Sequence, residues 1–185
     1  MRIRQLSLDG VVEIIPAKAG DARGFFAETW SRQRFVDQGL RQDWVQDNQS
    51  LSAEKGTLRG LHFQVRPFAQ DKLIRVLKGS IFDVAVDLRK SSPTYGKWVS
   101  CVLSPESFNQ LLVPKGFAHG FLTLEPSTEV FYKVSAPYAP QCDRAIRYDD
   151  PAIAIDWPLA GAAPVLSAKD RAAPLLSDIA SSIEF

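Results

Sequence analysis

The chain contains only two histidines, and both lie in polar motifs rather than in apolar runs. His62 lies in the segment Arg59–Gln64, and His119 lies in the segment Pro114–Phe121. Histidine exchanges a proton near neutral pH because its unperturbed pKa is about 6.5. Each histidine also has a nearby glycine, which lets the backbone approach closely. Proton-transfer chemistry is therefore the leading hypothesis, and a pair of core histidines hydrogen-bonded to the backbone is the alternative.

Three other side chains are the best acid–base partners for such histidines: Lys72, Tyr132 and Asp170. A lysine stabilises a developing oxyanion, a tyrosine gives a proton to a carbanion-like centre, and a carboxylate fixes the tautomer of an imidazole. Ordinary roles also exist for each residue taken singly. Lys72 could be a solvated charge on an edge strand, Tyr132 could be an ordinary strand aromatic, and Asp170 could cap a helix. The residue types alone do not show that these side chains meet in space.

A second set of residues is cationic and aromatic: Arg23, Phe25, Arg59, Tyr138 and Lys169. Arginine forks suit phosphate oxygens, and an aromatic face can stack on a base. Solvated surface charges are the alternative interpretation of the cations.

The bulk properties limit the function classes. The 185 residues carry a formal net charge of +1, so broad attraction to nucleic acid or to a membrane is not expected. The chain has no dinucleotide fingerprint and no phosphate-binding loop of the Walker type. It also lacks an apolar stretch of signal-peptide or membrane-spanning length, and it has only two cysteines. We expect a soluble cytoplasmic protein with one domain over residues 1–185.

Turn residues and alternation indicate a mainly β chain. We predict a short helix over residues 31–38, capped by Ser31 and ended by Gly39. We predict a hairpin turn at Lys78-Gly79 between strands 73–77 and 80–88. In the second strand Phe82, Val84, Val86 and Leu88 share one face, and Asp83, Ala85 and Asp87 share the other. Further predicted strands cover 98–103, 110–113, 120–124 and 129–134, and a short helix begins near Lys169.

Several short strands with regular turns favour a cupin-type jelly roll, as a β-sandwich or barrel with a few short helices. The spacing Pro114-x-Gly116-x-x-His119 suggests the cupin superfamily, whose members often hold a metal. Here Gln64 stands where a second ligating histidine would be, and on a strand it shares a face with His62. Metal-free acid–base chemistry is therefore preferred, with no metal site expected.

Over nearly its full length the chain resembles the dTDP-4-dehydrorhamnose 3,5-epimerase family. The matching segments, in chain order, are Asp21–Glu28, Gln46–Ser50, Gly56–Gln64, Gln70–Leu73, Phe82–Arg89, Ser92–Gly96, Val113–Leu122, Tyr132–Lys133 and Leu166–Asp170.

The resemblance implies a metal-free jelly roll without a cofactor, and a homodimer in which strands or loops cross between subunits. It implies His62 as the base, Asp170 as its partner, Lys72 as the enolate stabiliser and Tyr132 as the opposing acid. The substrate-binding residues implied are His119 at the sugar, Arg59, Arg23 and Lys169 at the diphosphate, and Phe25, Glu28, Gln46, Asn48 and Tyr138 as the remaining lining.

Four functions stay open at this point. The first is epimerisation at C3 and C5 of a dTDP-4-keto-6-deoxyhexose, and the second is inversion of one centre only. The third is a non-catalytic cupin that binds sugar nucleotides, and the fourth is a metal-dependent cupin oxygenase.

Overall fold

The computed structural model describes residues 1–185, most of whose regular structure is strand. The strands are β1 (Arg2–Gln5), β2 (Val12–Ile15), β3 (Ala19–Asp21), β4 (Gly24–Phe26), β5 (Gln46–Ser52), β6 (Leu58–Gln64), β7 (Lys72–Lys78), β8 (Ile81–Asp87), β9 (Trp98–Leu103), β10 (Gln110–Val113), β11 (Phe117–Thr123), β12 (Thr128–Val134) and β13 (Asp143–Ala145). The helices are α1 (Arg32–Asp37), α2 (Ala168–Arg171) and α3 (Leu176–Ile179), and a 3₁₀ turn covers Ala180–Ser182. None of these helices is long and apolar enough to cross a membrane.

Two antiparallel sheets form a sandwich. The six-stranded sheet has the order β1-β2-β10-β7-β12-β5, and the five-stranded sheet has the order β13-β6-β11-β8-β9. A separate hairpin pairs β3 with β4. This arrangement confirms the predicted mainly β fold of the cupin-like, jelly-roll type.

The main core lies between the two sheets. Ile74 and Leu111 of the six-stranded sheet belong to the same buried cluster as Ala85, Leu103 and Phe121 of the five-stranded sheet. The outer face of each sheet is also covered. The segment around α1 covers the six-stranded sheet, and the chain from Ile146 to Ile183 covers the five-stranded sheet. Apolar clusters therefore lie on both faces of each sheet.

Strand β8 shows how the two apolar layers are separated. Val84, Val86 and Leu88 pack into the outer cluster with Trp157, whereas Ala85 packs into the cluster between the sheets. The predicted division of this strand into two faces is confirmed. The face that carries Asp83 points to the interior of the sandwich rather than to solvent, because Asp83 is fully buried.

The predicted hairpin at Lys78-Gly79 is wrong. Strand β7 pairs with β10 and β12, and strand β8 pairs with β11 and β9. The turn therefore crosses from one sheet to the other. Gly79 suits this crossing because its φ is +75° and a Cβ there would lie 2.3 Å from Thr128 Oγ1.

Most other predicted elements are confirmed within a few residues. Helix α1 follows Ser31, although the Ser31 side chain makes no capping hydrogen bond, and Gly39 has a φ of +80° just beyond its end. Strands β9 and β10 have the predicted bounds, and β11 begins three residues before the predicted start. The sequence patterns gave no indication of β1 to β5, of β13 or of α3.

Candidate active site

His62 lies in the middle of β6 and faces the carboxylate of Asp170, which is 108 positions further along the chain. His62 Nε2 is 2.5 Å from Asp170 Oδ1. The segment that carries Asp170 is tied to the start of β6, because Val165 donates to the Gly56 carbonyl and Leu58 donates to the Val165 carbonyl. Hydrogen bonds between backbones thus bring the two side chains together.

The environment of Asp170 keeps it ionised. Burial on its own would raise the pKa of Asp170, but hydrogen bonds from His62 and Ser167 and the charges of His62 and Lys169 lower it. A carboxylate at Nε2 holds the proton on that nitrogen and leaves Nδ1 with a free lone pair. Asp170 therefore fixes the orientation of His62, and an imidazole held in this way is suited to accept a proton at Nδ1.

Lys72 begins β7, which is an interior strand of the six-stranded sheet between β10 and β12. The side chain is buried, and its Nζ donates to the His62 carbonyl at 3.3 Å, across the gap between the sheets. Burial lowers the pKa of Lys72 to about 8, while Asp143 and Asp83 raise it and Lys169 lowers it further. Lys72 is thus an interior cation beside His62, and the alternative of a solvated edge charge is excluded.

Tyr132 lies on β12 of the six-stranded sheet, whereas His62 lies on β6 of the five-stranded sheet. Tyr132 packs against the core cluster between the sheets, so its ring points into the sandwich. Burial raises the pKa of Tyr132, and the charge of Arg59 lowers it. The phenol therefore stays protonated at neutral pH on the wall opposite His62.

His119 is held by a second buried carboxylate. Its Nε2 is 2.6 Å from Asp83 Oδ1, and both residues are buried. The other oxygen of Asp83 has no hydrogen-bond partner. Sequence reasoning did not select Asp83. The signal that could have found it is the position of a carboxylate in an otherwise apolar strand.

One cavity of about 390 Å³ collects most of these groups. It brings together seven of the predicted residues: Arg59, His62, Lys72, His119, Tyr132, Lys169 and Asp170. Arg59 is anchored at the rim by Ser52 Oγ and the Leu51 carbonyl, each at 3.1 Å. Lys169 pairs with Asp143 at 2.5 Å, and this pairing raises the pKa of Lys169.

A second depression of about 230 Å³ adjoins the first and shares His62, Lys72, Tyr132 and Lys169 with it. Gln46, Asn48 and Tyr138 line this depression. Gln46 Oε1 accepts from the Tyr138 backbone N–H at 3.1 Å, so the strand and the loop are held together. Asp143 also lines it and accepts from the Tyr138 hydroxyl. Asp143 was missed because nothing in its sequence neighbourhood distinguishes it.

Arg23, Phe25 and Glu28 do not reach this cavity within the chain. Arg23 and Phe25 lie on the β3–β4 hairpin, where Arg23 pairs with Asp21 and Phe25 contacts Phe108. Glu28 pairs with Arg34 at 2.8 Å, near α1. Phe25 and Phe26 are 62% and 77% exposed, so the hairpin presents an uncovered apolar surface.

Gln64 occupies the position considered for a second ligating histidine. In the structure its side chain hydrogen-bonds to backbone groups of neighbouring loops. Its amide donates to the carbonyls of Phe68 and Pro137, and its carbonyl accepts from the Ala139 N–H. Gln64 thus fixes the loops beside His62. No three His, Cys, Asp or Glu side chains form a group that could hold a metal ion.

The arrangement is suited to proton transfer at a carbon next to a carbonyl. It has an oriented imidazole on one wall, a protonated phenol on the other, and a buried ammonium in the same cavity. Arg59 and Lys169 at the rim are suited to an anionic group of the same ligand.

The chain is similar in sequence and in fold to known sugar epimerases. Residues 5–178 match the family model described as dTDP-4-dehydrorhamnose 3,5-epimerase. A protein of that name from Sinorhizobium fredii is 52% identical over 189 residues, which cover 100% of this chain and 94% of that protein.

Two solved structures are similar throughout. The dTDP-4-dehydrorhamnose 3,5-epimerase from Bacillus anthracis, with TDP and PPi bound, is 47% identical and has a TM-score of 0.91. The match covers 95% of this chain and 99% of that one. The dTDP-6-deoxy-D-glucose-3,5-epimerase from Legionella pneumophila, in complex with dTDP-4-keto-L-rhamnose, is 44% identical and has a TM-score of 0.93. The match covers 100% of this chain and 98% of that one.

Proposed function

The chain belongs to the dTDP-4-dehydrorhamnose 3,5-epimerase family, and from this membership we propose that it converts dTDP-4-dehydro-6-deoxy-D-glucose to dTDP-4-dehydro-L-rhamnose. The reaction inverts C3 and C5 of the hexose and belongs to dTDP-L-rhamnose biosynthesis. The observation that carries the proposal is the placement of His62, which is paired with Asp170, and of Tyr132 on opposite sheets around one cavity.

The substrate's own ketone makes the chemistry possible. A carbonyl at C4 acidifies the hydrogens on C3 and C5, because the negative charge left by either proton is delocalised onto O4. A cation near O4 stabilises this enolate most strongly where water is excluded. In our proposal Lys72 is that cation, since it is buried beside His62.

Inversion requires two groups on opposite faces of the ring. We assign His62 as the base that removes the proton and Tyr132 as the acid that returns one to the opposite face. After each inversion His62 carries an extra proton and Tyr132 lacks one, so both re-equilibrate with solvent before the next. The reaction transfers no net electrons, and it therefore needs no redox cofactor.

The remaining residues of the two depressions are assigned to substrate binding. Arg59 and Lys169 would contact the diphosphate, since their cationic side chains line the cavity rim. His119 would contact the sugar beside His62, its cross-strand partner. Gln46, Asn48 and Tyr138 would line the nucleoside end, where the exposed ring of Tyr138 can stack on a base.

We further propose a homodimer in which the β3–β4 hairpin of one protomer completes the site of its partner. Arg23, Phe25 and Glu28 would then serve the second site rather than their own. The uncovered Phe25 and Phe26 support this arrangement, because exposed apolar patches of this kind mark interaction surfaces. Light scattering is expected to give twice the mass of one 20.5 kDa chain, and a monomer mass would contradict the assembly.

We expect the enzyme to act in the cytoplasm.

NMR of the substrate incubated with the protein in deuterated water tests the function. We expect deuterium at both C3 and C5 of the L-configured product. Deuterium at only one carbon would assign the chain to the single-centre epimerases. Binding without exchange would assign it to the non-catalytic sugar-nucleotide-binding cupins. Stoichiometric iron or manganese in protein purified without chelator, together with no exchange, would favour an oxygenase.

A further inference from the structure

We propose that Ser167 is a positioning residue that holds the Asp170 carboxylate and, through it, the orientation of His62. Ser167 Oγ donates to Asp170 Oδ2 at 2.9 Å, and it accepts from the Asp170 backbone N–H at 3.0 Å. The catalytic consequence of this role rests on the proposed function, whereas the positioning itself does not.

The hydrogen-bond capacity of the hydroxyl determines the arrangement. A serine hydroxyl has one proton to donate and lone pairs to accept with. Because Ser167 accepts from the Asp170 N–H, its own proton remains available for Oδ2. Each oxygen of Asp170 then has one partner, with Oδ1 at His62 and Oδ2 at Ser167. The carboxylate cannot rotate without losing a hydrogen bond.

The fixed carboxylate has a direct effect on the base. With Oδ1 aimed at Nε2, the imidazole keeps its proton on that nitrogen and leaves Nδ1 with a free lone pair on a residue that lines the cavity. Without the Ser167 hydroxyl, Asp170 could turn away from His62, and the base would spend less time in its productive orientation. The rate of proton removal should fall, while the affinity for substrate should change little.

Two other roles for Ser167 give different outcomes. Ser167 is the N-cap of α2, so its loss could weaken the local fold, and it also lines the cavity, so it could contact substrate directly. Glycine is nearly as good an N-cap as serine, but it has no hydroxyl. Ser167→Gly therefore separates capping from the hydrogen bond to Asp170, and Ser167→Thr keeps both.

The test compares Ser167→Ala, Ser167→Gly and Ser167→Thr with the wild type. Removing a hydrogen bond to a charged group should lower kcat about tenfold in the alanine and glycine variants, with KM within about twofold. The threonine variant should restore most of the activity. Ser177→Ala is the matched control, since Ser177 lies on the neighbouring short helix and its hydroxyl hydrogen-bonds Asp178 outside the cavity. It should match the wild type.

Proton NMR supplies a readout that needs no substrate. The short His62–Asp170 contact should give a far-downfield imidazole N–H resonance that His62→Asn abolishes. In Ser167→Ala and Ser167→Gly that resonance should move upfield or broaden, and in Ser167→Thr it should persist. An unchanged resonance in both variants would overturn the proposal, as would an unchanged kcat or an increase in KM alone. If the wild type gives no turnover, the proposed function fails, and the resonance still decides whether Ser167 positions the pair.

Discussion

His62 and His119 are direct cross-strand partners in the β6–β11 pair, and each imidazole meets a different buried carboxylate. The two pairs differ in exposure: the His62 side chain is 32% exposed and the His119 side chain is 9% exposed. His62 is thus the more accessible of the two to a proton on substrate. His119 is held more deeply by Asp83.

This difference predicts unequal effects of matching substitutions. His62→Asn should lower epimerase turnover by about 10³-fold or more, because it removes the base. His119→Asn should mainly raise KM and keep measurable deuterium exchange at C3 and C5. Steady-state kinetics and exchange of both variants test the assignment. Substantial turnover by His62→Asn would remove His62 as the base.

The buried lysine predicts a pH dependence. Lys72 has a pKa lowered to about 8, so it is charged below that pH and neutral above it. Since only the ammonium stabilises an enolate, kcat/KM should decline as pH rises through about 8. Lys72→Met should lower the rate about 10²- to 10³-fold and abolish this decline. A profile that stays flat to pH 10 in the wild type would contradict this role of Lys72.

The assignment of Arg59 to the diphosphate predicts that removing its guanidinium weakens nucleotide binding. Arg59→Ala should weaken binding of dTDP about tenfold or more in calorimetry, because the guanidinium is assigned to the diphosphate. Arg66→Ala is the control, since Arg66 is exposed and lines a different surface cavity. Equal affinities for the two variants would place Arg59 outside the diphosphate site.

The close packing around Gly60 predicts that a side chain at this position lowers the stability of the fold. A Cβ at Gly60 would lie 2.5 Å from Gly120 Cα and 3.0 Å from the His119 carbonyl oxygen, and the φ of Gly60 is +137°. Gly60→Ala should therefore push β6 from β11 and lower the free energy of unfolding by about 3 kcal/mol or more. Gly96→Ala, with a φ of +74° and no atom near the new Cβ, should cost only about 1–2 kcal/mol. Denaturant unfolding of both variants makes the comparison, and equal losses would show that the close approach is unimportant.

Strand patterns predicted which residues share a face, but not which face is interior. The alternation in β8 correctly separated Val84 and Val86 from Asp83 and Ala85. It could not show that Asp83 points between the sheets, because both faces of this strand are covered. The prediction of a hairpin at Lys78-Gly79 was wrong for a related reason. A short turn is the same locally whether it joins two strands of one sheet or crosses between sheets.

The pairing of His62 with Asp170 could not be derived from spacing. It depends on backbone hydrogen bonds from Val165 to Gly56 and from Leu58 to Val165, and the sequence around Val165 shows no strand periodicity. The family resemblance supplied the pairing, and the structure places the two side chains in contact. For Arg23, Phe25 and Glu28 the resemblance implied site roles that the fold of one chain does not accommodate, which is why a partner subunit is proposed.

The central claim is that His62 and Tyr132 act on opposite faces of the substrate. Deuterium incorporation by Tyr132→Phe in deuterated water tests it most directly, with NMR of both recovered substrate and product. If the claim holds, the variant labels C3 or C5 of the recovered substrate while forming little inverted product, because His62 still removes protons and returns deuterium to the same face. Product formation at the wild-type rate, or equal loss of label and product, would contradict it.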